Sequence, residues 1–228
     1  MSSSKRGKFI TFEGLDGCGK STQTERLAEV LRREGIDVVV TREPGGTPIG
    51  ERIRSILLDS ATSGLAPMAE LALMFSARVQ HLEQVILPAL HAGKWVLCDR
   101  FTDSSEAYQG GGRKLGSEAV LALHRVLCGN IQPDFTVLMD SEVSASVARA
   151  RRRNLAKVAT AADGEADENR FEQENRAFFT RVHDAYLAIA KRERQRVFMV
   201  DARRQGDVVH REIVDTVRNR FLGAAKTA

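Results

Sequence analysis

The sequence predicts a three-layer α/β fold, a parallel sheet of about five strands with helices on both faces. Three observations predict it. Short β-branched or aromatic runs alternate with helical patterns, a glycine-rich pattern joins the first strand to the first helix, and charged residues gather at the strand ends. Sheets of this kind place their ligands at the carboxyl ends of the strands, so the third observation also predicts a polar site there. The chain has 228 residues, 43% hydrophobic and 28% charged. That is enough apolar material for a substantial core and excludes a disordered chain. One domain over residues 8–223 is expected, with a short tail at 1–7, another at 224–228, and a lid at about 149–170.

Lys8–Glu13 reads as the first strand. Ser21–Glu34 follows as a helix, because Leu27, Ala28, Val30 and Leu31 fall on one face and Gly35 stops it. Ile36–Thr41 reads as the second strand. A long apolar helix is expected over Glu70–Ala92, with a stripe of Leu71, Phe75, Leu82, Val85 and Ile86. Arg78 falls on that stripe. Its guanidinium either meets a buried partner or snorkels to water along its own stem. Trp95–Asp99, Phe135–Asp140 and Val197–Asp201 complete the sheet. The strand ends carry Glu13, Arg42, Asp99, Asp140 and Asp201. One stretch breaks the alternation: Asn154–Glu168 is rich in Ala, Asp and Glu, preceded by Arg149, Arg151, Arg152 and Arg153 and followed by Arg170. Its composition suits a mobile loop or lid, or equally a solvated linker between two helices.

The 34 basic residues exceed the 30 acidic ones only slightly, and most of them are arginine. Arginine grips phosphate with a planar fork, so this balance points to phosphate ligands and away from a nucleic-acid or membrane surface. Cys18, Cys98 and Cys128 are too few and too scattered for a disulfide framework or a zinc site, which fits the cytoplasm. The stretch Met1–Lys8 lacks an apolar signal core, and no later run is long enough to span a bilayer.

Gly14-Leu15-Asp16-Gly17-Cys18-Gly19-Lys20-Ser21, followed by Thr22, fits GxxxxGK[ST] between a predicted strand and a predicted helix. Such a P-loop lets successive backbone N–H groups and the helix N-terminus face a polyphosphate. Lys20 then reaches the outer phosphates, and the Ser21 hydroxyl suits Mg²⁺. A nucleoside triphosphate is the expected ligand. No Asn-Lys-x-Asp element marks a guanine switch. Cys18 sits at a helix N-terminus, where its thiolate is favoured, or is simply a small residue filling a tight loop.

Further segments make the resemblance specific: FEGLDGCGKST (Phe12–Thr22), TREPGGTPIGE (Thr41–Glu51), SARVQH (Ser76–His81), DRFTDSSEAYQGGGR (Asp99–Arg113) and RFEQENRAFF (Arg170–Phe179). Together they resemble the thymidylate kinase family, P-loop enzymes that phosphorylate dTMP with ATP. The resemblance implies the P-loop NTPase fold, ATP as donor, Mg²⁺, dTMP as acceptor and a homodimer. It implies that Arg78 donates to a thymine carbonyl, that Ser105 bonds the pyrimidine edge and that Gln109 lies near the base. Tyr108 would crowd a ribose 2′-hydroxyl, and Asp16 would accept the 3′-hydroxyl or else cap the helix. It places Asp99 beside magnesium and Arg100 on the dTMP phosphate, with Ser104 nearby. Arg42, Glu43 and Arg54 would line the phosphate side. Where the family has a phenylalanine stacked on the base, this chain has Met74, with Phe75 one residue displaced.

Phosphoryl transfer needs two anions held in line and the spreading charge neutralised. One class of the family supplies an arginine from inside the P-loop. Here that position is Gly17, so the resemblance implies the class that supplies it from the lid, with Arg151 and Arg153 as the expected catalytic residues beside Lys20, Asp99 and Arg100. The alternatives are a kinase for another pyrimidine monophosphate and a P-loop switch protein that uses ATP to change partners.

Overall fold

The computed structural model describes residues 6–62, 64–158 and 169–223. Five parallel strands form one sheet: β1 (Phe9–Glu13), β2 (Val38–Arg42), β3 (Trp95–Asp99), β4 (Phe135–Asp140) and β5 (Val197–Asp201), in the order β2-β3-β1-β4-β5. All of β1 is buried, as befits a central strand covered on both faces. Its register aligns Phe12 with Asp99 of β3 and Glu13 with Leu138 of β4, so the chain reversals on either side of β1 open one crevice above Glu13 and Asp99.

Helices α1 (Lys20–Arg33) and α9 (Gly206–Phe221) cover one face. Leu27, Ala28 and Leu31 meet Ile10, Phe12 and Val137 there, joined by Val209, Ile213 and Val217. The other face is covered by α3 (Pro67–His81), a π-helical segment (Leu82–Ile86) and α6 (Ser117–Cys128), around Phe9, Phe75, Val96 and Phe101. The long helix expected over Glu70–Ala92 therefore starts earlier and is interrupted. After the π-helical segment, α4 (Leu87–His91) carries Pro88, which has no N–H to continue a regular ladder.

A third cluster lies over the crevice. It joins α2 (Pro48–Leu58), α8 (Arg176–Arg192) and a π-helical segment (Glu106–Gly112) that continues α5 (Thr102–Ser105). Two ion pairs fasten this stretch beside the end of α8: Glu106, on the π-helical segment, with Arg192 at 2.7 Å, and Asp103, on α5, with Arg196, just past α8, at 2.7 Å. The expected loop at Asn154–Glu168 is corrected at its start, because α7 runs over Val143–Val158 and buries Asn154. Residues 159–168 lie outside the described residues. Beyond them, a short 3₁₀ turn (Arg170–Gln173) returns the chain to α8.

Candidate active site

The loop between β1 and α1 turns on its glycines. Gly14, Gly17 and Gly19 all have positive φ. At Gly17 a side chain is excluded twice, by φ +79° and by α7, since a Cβ would lie 2.4 Å from the Ser146 carbonyl and 2.9 Å from the Ala150 nitrogen. Lys20 is buried and lies across the loop, its Nζ donating to the carbonyls of Gly14 (3.1 Å) and Leu15 (2.9 Å). Leu15 and Cys18 are buried beneath, while Ser21 and Thr22 are exposed at the first turn of α1. Burial pushes the Cys18 thiol up, so the loop holds a thiol and not the thiolate that the helix N-terminus alone would favour.

Ser21 Oγ donates to Asp99 Oδ2 at 2.6 Å. Asp99 Oδ1 is buried with no hydrogen-bond partner among the described residues. A hydroxyl and an orphaned carboxylate oxygen at the mouth of a phosphate loop are hard oxygen donors that fit Mg²⁺.

Arg100 follows Asp99 at φ 75°, in the left-handed region that bulky residues avoid. The departure turns its side chain across the crevice. Nη2 donates to Asp16 Oδ1 (2.8 Å) and Tyr108 OH (3.1 Å), and Nη1 to Ser104 Oγ (2.9 Å) and Tyr186 OH (3.0 Å). Burial works to raise the Asp16 carboxyl, yet Arg100 and Lys20 beside it hold it well below the usual carboxylate range, with Arg153 adding to their effect. Tyr108 OH donates to the other Asp16 oxygen at 3.1 Å. Behind Ser104 lies Glu13, fully buried, accepting from Ser104 Oγ (2.5 Å), Tyr186 OH (3.0 Å) and the Phe101 N–H (2.7 Å). Burial and the repulsion of Asp103 push its carboxyl up to about 7, against the opposing pull of Arg100.

The Arg78 guanidinium is buried, not snorkelling. Its Nε donates to Glu43 Oε2 (2.7 Å), its Nη2 to Ser105 Oγ (2.9 Å) and the Phe101 carbonyl (3.2 Å). Nη1 is buried with no partner among the described residues. Glu43, expected along the phosphate side, instead lies beneath Arg78, 4% exposed, and bonds His81 Nδ1 at 3.0 Å. Burial raises its carboxyl, but Arg78 and His81 outweigh that and bring it below its ordinary value. Glu43, His81 and Cys98 stand close enough to hold a metal ion. Yet Glu43 is already neutralised by Arg78, and the other His81 ring nitrogen is 2.6 Å from Thr41 Oγ1.

Phe75 is 0% exposed, with the Arg78 guanidinium 4.7 Å from its ring centroid, so its ring supports the arginine from within the core. Met74, 9% exposed, belongs to the cluster over the crevice together with Tyr108. Gln109 is buried and donates to Glu70 Oε1 at 2.8 Å. Arg42 is exposed and pairs with Glu51 at 3.1 Å, and Arg54 Nη1 donates to the Pro44 carbonyl at 3.0 Å.

Helix α7 separates the lid arginines by face. Arg149 Nε donates to the Gly17 carbonyl at 2.8 Å; Arg153, one turn later, lies 3.9 Å from the Glu172 carboxylate and also helps to lower the Asp16 carboxyl. Arg151 points elsewhere, donating to the carbonyls of Glu172 (3.0 Å) and Glu174 (3.3 Å). The sequence places Arg149 among the arginines before the lid but does not mark it as catalytic, and it gives no role to Tyr186 or Glu70. Tyr186 carried no local signal, because it lies on the apolar stripe of α8 with Phe178, Phe179, Val182 and Ile189.

The family model described as thymidylate kinase matches residues 12–213. A thymidylate kinase from Alkalilimnicola ehrlichii is 52% identical over 197 residues, covering 86% of each chain. One from Pseudomonas putida is 49% identical over 207 residues, covering 91% of this chain and 93% of the relative. Among solved structures, the crystal structure of thymidylate kinase from Ehrlichia chaffeensis superimposes with a TM-score of 0.72 at 32% identity, over 93% of this chain and 99% of that one.

Proposed function

This chain belongs to the thymidylate kinase family, and from that premise we propose how its crevice moves the terminal phosphoryl group of ATP onto dTMP, giving ADP and dTDP. The observation that carries the proposal is Arg100. A second phosphate-seeking cation, fixed by Asp16, Tyr108, Ser104 and Tyr186, faces the loop that holds Lys20. Two anionic reactants repel each other, so converging positive groups are the main catalytic requirement.

The backbone of Gly14–Thr22 takes the triphosphate, and Lys20 leaves the Gly14 and Leu15 carbonyls for the outer phosphates. Arg100 holds the dTMP phosphate, whose oxygen attacks the terminal phosphorus while the bond to ADP breaks. No side chain has to remove a proton, because the attacking phosphate is already an anion. Ser21 and Asp99 would hold Mg²⁺, which supplies neutralisation of the donor phosphates when bound. Asp16 receives the sugar 3′-hydroxyl, and Tyr108 fills the space a 2′-hydroxyl would need.

Arg78 donates to the base through its free Nη1, Ser105 and Gln109 flank it, and Met74 lies against it; the buried ring of Phe75 backs the arginine. Arg42 and Arg54 border the phosphate side. Arg149 and Arg153, on one face of α7, are the lid arginines aimed at the transferring group, whereas Arg151 anchors the far end of the lid to the 3₁₀ turn. Residues 8–223 act as one kinase domain, with the lid over about 149–170 and tails at either end. A homodimer is supported by exposed apolar side chains on adjoining helices: Ile49 and Ile56 on α2, Met68 on α3, Val126 and Leu127 on α6. Three unpaired cysteines support a cytoplasmic setting, and no helix among the described residues is long and apolar enough to cross a membrane.

A coupled assay of ADP release with dTMP, UMP and dCMP as acceptors tests this reading. It predicts highest turnover with dTMP and none detectable for Lys20→Ala. A preference for UMP over dTMP would reject the substrate assignment.

A further inference from the structure

We propose that Glu70 sets the hydrogen-bonding sense of Gln109, and so makes the base pocket select a ring bearing an N–H beside a carbonyl; this rests on the reading of the crevice given above. Glu70, Met74 and Arg78 are spaced by one turn along α3 and share a face. Facing them, Ser105 ends α5 and Gln109 lies one turn on. The two rows meet at both ends, through Arg78 Nη2 on Ser105 Oγ (2.9 Å) and Gln109 Nε2 on Glu70 Oε1 (2.8 Å). Met74 lies between these two rungs.

Glu70 is 0% exposed and is held by two guanidinium groups, Arg170 Nη1 at 2.8 Å and Arg113 Nη2 at 3.1 Å. A carboxylate gripped in this way offers only acceptors, whereas an amide donates through nitrogen and accepts through oxygen. Gln109 must therefore turn its nitrogen towards Glu70, and its oxygen is left as an acceptor that carries no hydrogen bond among the described residues. At the other rung, Arg78 Nη1 is a buried donor without a partner. The space between the rungs thus presents one donor and one acceptor. Thymine matches with its 4-carbonyl and N3–H. Cytosine has an amino group and a bare nitrogen at those positions, setting donor against donor and acceptor against acceptor, which leaves buried polar groups unpaired. Glu70 is a positioning residue, since it acts on the base only through Gln109.

The test is a double-mutant cycle read by calorimetric affinities for dTMP and dCMP. Glu70→Gln keeps the shape of the side chain, but an amide can face Gln109 in either sense. The ratio of dTMP to dCMP affinity should fall about tenfold or more, and the same change made in a Gln109→Leu background should leave the ratio where it was. A ratio unchanged by Glu70→Gln alone, or shifted equally in both backgrounds, overturns the proposal. A second measurement needs no variant: 3-deaza-dTMP, with C–H in place of N3–H, should bind the unmutated protein at least about tenfold more weakly than dTMP, and equal affinities would overturn it. Failure of the kinase reading looks different, because the unmutated protein would then bind no dTMP at all, which overturns both readings.

Discussion

Replacing Glu43 by alanine would remove the carboxylate beneath Arg78 and leave a guanidinium that is 2% exposed without a counter-charge. Breaking a buried pair from one side costs about 3–5 kcal/mol, because the remaining charge stays desolvated. Domains of this size have about 5–15 kcal/mol in hand, so the loss is a large share of the total. It corresponds to a fall of roughly 6–20 °C in Tm, at about 2–4 °C per kcal/mol. The Phe101 carbonyl and Ser105 hydroxyl still hold Nη2, and they moderate the loss without replacing the charge. Glu43→Gln keeps an acceptor for Nε and should cost less, about 1–3 kcal/mol. Urea unfolding at pH 7 measures the stability, and titration with dTMP measures the site, where a mobile Arg78 should weaken binding by about tenfold. A cost below about 1 kcal/mol for Glu43→Ala, which is the value of an exposed pair, would refute the claim that this pair is a buried anchor of the base pocket.

Three further outcomes are expected. The Glu13 carboxyl titrates near 7 in the folded protein against 4.5 unfolded, so the native state keeps a proton that the unfolded chain has released. Its contribution is therefore full below about pH 4.5 and is lost as pH rises through 7, on the order of 3 kcal/mol; unfolding curves across this range should flatten in Glu13→Gln, and an unaltered slope would contradict the assignment. Gly17→Ala forces a Cβ into the backbone of α7 and keeps φ +79°, so a loss of roughly 2–4 kcal/mol with weakened ATP binding is expected in thermal unfolding and nucleotide titration, and an unshifted Tm would show that α7 does not rest on the loop. Arg153→Ala should lower kcat by about 10²–10³, while Arg151→Ala, which detaches the 3₁₀ turn, should act mainly on stability; equal losses of kcat would mean that the helical face does not decide which arginine arrives.

The strands were legible wherever a β-branched run ended on a charge: β3, β4 and β5 begin and end where the pattern puts them. The second strand starts two residues later than expected, at Val38, because the Ile36 N–H is still bound to the Leu31 carbonyl at the end of α1. Phosphate-loop chemistry was legible because it is local, its glycines and lysine lying within eight residues. The lid arginines were legible only through the resemblance, whose spacing points to Arg151 and Arg153 but carries no information on helical face; on α7 positions 149 and 153 align and 151 turns away. Pairings between distant segments left no trace in any window: Glu43 with Arg78, Glu70 with Gln109 and Arg170, and Tyr186 with Glu13. Each is a buried polar residue that would be costly alone, and only the fold reveals the partner that makes it tolerable.

The most direct measurement follows a labelled phosphoryl group. The protein is mixed with ATP labelled at the terminal phosphate, Mg²⁺ and dTMP, and the products are separated during a single turnover. The account predicts that the label appears in dTDP, with little inorganic phosphate. Label released only as inorganic phosphate, at a rate indifferent to dTMP, would contradict it.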